Sequence, residues 1–148
     1  MGSPAALTTW TAGLVTRSGE ETERAAEAFA ALLPPDTVLA LEGDLGAGKT
    51  TFVRGLVRGL GVTGDITSPS FALLNVYEGH RQILHVDAYR LTQPEAFDDL
   101  LIWDLAKSPW NVVVEWPERV AARLPSARWQ MKTAILADGG HRFQLTLA

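Results

Sequence analysis

Between Glu20 and Leu33 apolar residues recur at helical intervals, at Ala25, Ala26, Phe29, Leu32 and Leu33, and predict an amphipathic helix. Ser18 is placed to cap it, Glu20 and Glu21 fall in the first turn, where the helix dipole favours acids, and Pro34-Pro35-Asp36 stops it. The period then changes. "TVLALE" (37–42) is almost continuously apolar, as a strand buried on both faces requires, and it runs straight into a glycine-rich stretch. Beyond that stretch, Phe52, Val53, Leu56, Val57 and Leu60 trace the buried face of a second helix; Arg54 and Arg58 point outward, and Gly61 is placed to end it.

The second half is strand-rich. "DITSPSF" (65–71) reads as a polar connection, and "ALLNVY" with "QILHVD" as a hairpin turning at Glu78-Gly79-His80. Residues 93–106 are expected to be helical from near Pro94, "NVVVE" (111–115) to be a buried strand and "PERVAARL" (117–124) a short helix. The tail alternates apolar and polar residues about a Gly-Gly turn, the pattern of a closing hairpin. Strands alternating with helices predict an α/β three-layer sandwich, its mixed sheet having a parallel core and antiparallel hairpin additions.

Composition narrows the class. The 148 residues are 47% hydrophobic and 20% charged, the balance of one soluble domain spanning 1–148, with 1–7 expected to be disordered or a cloning remnant. Having no cysteine, the chain has neither disulfides nor thiolate-held metal. No apolar run approaches the roughly 20 residues that span a bilayer, and the N-terminal stretch lacks a charged region before an apolar one, so a cytoplasmic protein without membrane attachment is expected. The net charge is −4 and the lysines are only Lys49, Lys107 and Lys132, which argues against independent nucleic-acid binding. Work beside RNA held by a partner stays open.

The chemistry-bearing stretch is Gly43-Asp44-Leu45-Gly46-Ala47-Gly48-Lys49-Thr50, which meets the pattern G-x-x-x-x-G-K-[ST] in full. Glycines let backbone N–H groups turn inward around oxyanions, and the helix that follows aims its positive end at the same phosphates. Lys49 would neutralise β- and γ-phosphates, and the Thr50 hydroxyl would coordinate Mg²⁺. The fold expected is therefore P-loop NTPase-like. In an open parallel sheet ligands collect at the carboxyl ends of the strands. If 83–87 and 111–115 run parallel to 37–42, their last residues, Asp87 and Glu115, reach that edge, where a buried acid calls for a cation. Glu115 could hold the metal, orient the attacking water or accept its proton; the bland alternative for either acid is capping the next helix. Ser68-Pro69-Ser70 is a turn or, after a phosphate loop, a γ-phosphate sensor. His85 reads as a satisfied core histidine rather than a metal ligand, and Trp103, Trp110 and Trp129 as packing.

No Asn/Thr-Lys-x-Asp segment surrounds any lysine, which disfavours GTP, and no inserted lid separates Asp87 from Glu115, which disfavours a small-molecule kinase. A compact NTPase remains, with a kinase or a non-hydrolysing nucleotide sensor as alternatives. "GDLGAGKTTF", "SPSF", "HVDAYRL" and "VVEWPE", in that order, resemble the TsaE (YjeE) family, the ATPases of bacterial tRNA threonylcarbamoyladenosine synthesis, from about Ser18 to the last hairpin. The resemblance implies weak Mg²⁺-dependent ATP hydrolysis to ADP in support of TsaB and TsaD homologues, which modify adenosine 37 of ANN-decoding tRNAs; tRNA is met only through that complex. It implies that Gly46 to Thr51 wrap the phosphates, that Thr50 and Glu115 are metal ligands, and that Asp87 sits beside the metal, directly or through water. Trp116 matches the second member of the family's Glu-Trp pair. Ser70 stands where the family has threonine, keeping the hydroxyl but not the β-branch that constrains it. Ser18, Thr22 and Arg142 stand where family members approach the base. Arg54 and Arg58 are read as a solvated face rather than a partner contact.

Overall fold

The computed structural model describes residues 4–44, 46–64, 66 and 73–147. Its strands are β1 (Leu14–Thr16), β2 (Thr37–Glu42), β3 (Leu74–Glu78), β4 (Gln82–Asp87), β5 (Trp110–Glu115), β6 (Trp129–Ile135) and β7 (His141–Thr146). The helices are α1 (Pro4–Ala12), α2 (Gly19–Phe29), α3 (Lys49–Gly59) and the short α4 (Ile102–Leu105). The strands form a seven-stranded sheet in the order β1-β7-β6-β2-β5-β4-β3. Strands β6, β2, β5 and β4 run parallel, while β3, β7 and β1 are added antiparallel.

The continuous apolar runs follow from the layers. Leu39, Leu41, Ile83 and Val113 point to a core shared with Phe29 of α2 and Phe52 and Leu56 of α3. Val38, Leu84, Val112 and Val114, alternating with them, point to a second core closed by Phe97, Ile102 and Val120. A central strand covered on both sides has no polar face. The first core is aromatic at its centre, where the Phe52 and Phe143 rings stack 5.5 Å apart and Trp10 meets Phe29 edge-on at 5.0 Å.

Helix ends obey local chemistry. Ser18 caps α2, its Oγ accepting from the Glu21 N–H at 3.1 Å. After α3, Gly61 takes φ +91°; its N–H reaches the Arg58 carbonyl and the next N–H, of Val62, reaches Val57, so the glycine closes the helix as expected.

Three elements differ from the expected pattern. Residues 4–16, where no element was expected, include α1 and β1, and Leu7 packs on the first core. Residues 93–106 are not one helix: a 3₁₀ segment (Pro94–Leu100) is broken from α4 by Leu101 at φ +55°. Phe97 and Ile102, five positions apart, both enter the second core, and an unbroken helix would carry one of them off that face. Residues 117–124 likewise divide into two 3₁₀ turns about Val120, which is fully buried. Trp129 packs as expected, whereas Trp103 is 43% exposed although its ring meets Trp110. Among the described residues no helix is long and apolar enough to cross a membrane.

Candidate functional site

The turn from β2 into α3 is shaped by glycine. Gly46 (φ +82°) and Gly48 (φ +92°) are left-handed, and Gly48 is the residue from which α3 starts. A Cβ on Gly43 would collide with the hydroxyl and carbonyl of Thr133 on β6, so this glycine is required by close approach. Lys49, the first residue of α3, is buried; its Nζ donates to the Gly43 carbonyl at 2.5 Å and lies 3.8 Å from the centroid of the Trp116 ring. Burial holds the Lys49 ammonium below the usual lysine range, opposed by the carboxylates of Glu115, Glu118, Asp87 and Asp44.

Register brings the two acids to the same edge. Asp87 pairs with Glu115 across β4 and β5, and Glu115 pairs with Leu41 across β5 and β2, one residue from the end of β2. A cleft of about 590 Å³ is lined by Gly46, Gly48, Lys49, Thr50 and Thr51 from one side and by Asp87, Glu115 and Trp116 from the other. Glu115 is buried, and its Oε2 lies 2.6 Å from Nε2 of His85. Asp87 accepts from the Tyr89 N–H at 3.1 Å, so it caps the turn after β4 as well as lining the cleft. Trp116 adopts a left-handed conformation, φ +58°, rare for a tryptophan, and its ring lies 4.9 Å from that of Tyr89. That aromatic pair walls the cleft opposite the loop, and the Arg119 guanidinium lies over the Tyr89 ring.

Other expected site residues lie elsewhere. Thr22 is buried and bonds Thr16 at 2.6 Å, and its hydroxyl also reaches the Ser18 carbonyl. Ser18 is engaged as the helix cap and is not on the cleft wall. Arg142 alternates with the core residues Phe143 and Leu145 and therefore faces away from α3; it bonds the Ala12 carbonyl and Gln144. It lines a separate hollow of about 380 Å³, together with Gly43, Asp44 and Ala47. The adjoining His141 lines the cleft instead, its Nε2 3.3 Å from the Gly46 carbonyl. Ser70 lies outside the described residues.

Sequence reasoning missed His141, Tyr89 and the bond from His85 to Glu115. Tyr89 had a signal in "HVDAYRL", two residues past the strand-ending acid. His141 had none, because it reaches the loop only through the pairing of β7 with β6 and of β6 with β2.

The glycine-rich turn between β2 and α3 thus faces two strand-terminal acids across one cleft, and comparison with known proteins supplies a family. The profile of the family described as "Threonylcarbamoyl adenosine biosynthesis protein TsaE" matches residues 16–142. The chain is 41% identical over 134 residues to the tRNA threonylcarbamoyladenosine biosynthesis protein TsaE of Treponema pallidum, covering 90% of this chain and 98% of that one. It is 38% identical to the protein of the same name from Bacillus subtilis, covering 88% and 82%. Among solved structures, Bacillus subtilis YdiB superposes with a TM-score of 0.75 at 32% identity, covering 91% of this chain and 84% of that one. With this P-loop-like α/β fold and these relatives, the chain belongs to the TsaE family, whose members take part in threonylcarbamoyladenosine biosynthesis on tRNA.

Proposed function

We propose that the chain is a Mg²⁺-dependent ATPase that supports threonylcarbamoyladenosine modification of ANN-decoding tRNAs by acting on a complex of TsaB and TsaD homologues, meeting tRNA only through that complex. The observation that carries the reading is the meeting of Lys49 and Thr50 with Asp87 and Glu115 in one cleft at the carboxyl edge of the parallel strands.

The donor set fits the ion. Among the described residues no three His, Asp or Glu side chains converge to cage a metal unaided. Mg²⁺ is ordinarily held by one or two carboxylates plus substrate phosphates, and Glu115, the Thr50 hydroxyl and Asp87 supply donors of that hardness. When bound, the ion would neutralise charge on the β- and γ-phosphate oxygens. The chain's own part is positioning. Backbone N–H groups from Gly46 to Thr51 bind the phosphates at the start of α3, and Lys49 adds a cation that its surroundings keep inside the cleft. Glu115, the other acid at that edge, orients the attacking water or accepts its proton. Trp116 packs against Lys49 and restricts the solvent reaching it.

The test combines two substitutions with a pull-down on TsaB and TsaD in the presence of ATP and a tRNA modification assay. Lys49→Ala is expected to abolish ATP binding and complex-dependent modification. Glu115→Ala is expected to impair hydrolysis far more than binding. Retention of both ATP binding and modification by Lys49→Ala would end the reading. ATP-tightened binding to TsaB–TsaD without turnover would replace it with a nucleotide sensor.

A further inference from the structure

His85 sits inside β4, 1% exposed, two residues before Asp87 and therefore on the same face of the strand. Its Nε2 is 2.6 Å from Oε2 of Glu115 on the neighbouring strand. Its other ring nitrogen, Nδ1, is buried with no hydrogen-bond partner among the described residues. Together these observations decide the tautomer. A proton on Nδ1 would leave a buried donor unsatisfied. In the neutral ring it would also set the bare lone pair of Nε2 against a carboxylate oxygen. A proton on Nε2 leaves only one lone pair unmatched and makes a charge-assisted bond to Glu115.

We infer that His85 is a positioning residue: as the Nε2–H tautomer it holds Oε2 of Glu115, fixes the rotamer of that carboxylate and leaves Oε1 for the cleft. Among the described residues the bond from His85 is the one hydrogen bond made to the Glu115 side chain, so no other group shares the task. The electrostatic neighbours of the acid within the cleft are Lys49, which approaches from α3, and Asp87, its register partner. A free carboxylate at the end of a strand samples several rotamers, and only some point its second oxygen into the cleft. A buried imidazole locked in its own strand removes that freedom, as groups behind a metal ligand commonly do. The inference rests on the proposed role of Glu115 and adds the group that aims it.

Two measurements test it. Nitrogen-15 spectra of the His85 ring, recorded on the wild-type chain without nucleotide or metal, are expected to show Nε2 protonated and Nδ1 bare; the reverse pattern overturns the inference. Calorimetry with a non-hydrolysable ATP analogue, with and without Mg²⁺, then compares wild type with His85→Leu and His85→Gln. The leucine keeps similar bulk and has no donor; the glutamine amide can place a donor where Nε2 stands. His85→Leu is expected to lower the Mg²⁺-dependent gain in affinity by roughly 10-fold and by no more than Glu115→Ala lowers it, leave Mg²⁺-free affinity unchanged, and be largely rescued in His85→Gln. A full Mg²⁺ gain in His85→Leu, or a glutamine variant no better than leucine at equal melting temperature, overturns the inference. Should His85→Leu not fold, the ring spectrum and the glutamine variant still decide. Wild-type chain that fails to bind ATP would sink the proposed function, whereas the ring spectrum reads the His85–Glu115 bond without nucleotide or metal.

Discussion

Gly55→Ala is the substitution for which a sequence rule and the structure give opposite signs. In an isolated helix, alanine is favoured over glycine by about 0.8–1.0 kcal/mol, so Gly55→Ala within α3 should stabilise the protein. The structure places α2 directly against that position. A Cβ on Gly55 would collide with the Glu23 carbonyl oxygen and come within 2.8 Å of the Ala26 Cβ and 3.0 Å of the Glu23 carbonyl carbon. None of these atoms is the tip of a flexible side chain, so relief requires α2 and α3 to move apart. Overpacking of this kind costs about 1–3 kcal/mol, and contact with a helix backbone belongs in the upper part of that range. Subtracting the helix-propensity gain leaves a net loss of about 1–2 kcal/mol. At ~2–4 °C per kcal/mol for chains of this size, the melting temperature should fall by about 2–8 °C. Urea titration followed by tryptophan fluorescence measures the loss of free energy, with a lower midpoint at unchanged slope as the expected result. A midpoint at or above wild type would refute the close packing of α2 on α3. The same displacement would disturb Lys49 and Thr50, which α3 carries at its start.

Two further predictions separate structure from site. Ser18→Ala should cost about 1 kcal/mol through loss of the α2 cap, with nucleotide affinity measured by calorimetry unchanged; a parallel loss of affinity would return Ser18 to the site. Asp138, in the turn between β6 and β7, has its carboxyl held below the usual range, first by the Gly140 N–H and then by the Arg17 guanidinium. The unfolded chain therefore takes up this proton more readily, so the contribution is present above the ordinary carboxylate range and is lost as pH falls through the lower folded value. Unfolding midpoints measured across acid pH should decline less steeply in Asp138→Asn than in wild type, and parallel curves would contradict the assignment.

The local features were legible because their causes are local. The bounds of β2, the cap at Ser18, the terminator at Gly61 and the glycine geometry that opens α3 each depend on residues within a turn or two, and the sequence carries them intact. The meeting of Asp87 and Glu115 was conditional on two strands running parallel to β2, and the register supplies that condition. The broken segment around Leu101 was not legible, since what decides it is which residues the second core takes. Trp10 was not legible either, lying in a stretch without periodicity and gaining its place from Phe29, Phe52 and Phe143.

By itself, then, the sequence determined the glycine-rich turn that opens α3, the two strand-terminal acids and the alternation of strands and helices, all set by short-range sterics and by the burial of apolar runs. Tertiary structure alone decided which side chains share the cleft. His85 meets Glu115 across 30 residues, and His141 rather than Arg142 lines the cleft that holds Lys49 and Glu115. Those choices follow from strand register and pleat, which arise only when distant segments pair and which a linear pattern of residues does not encode on its own.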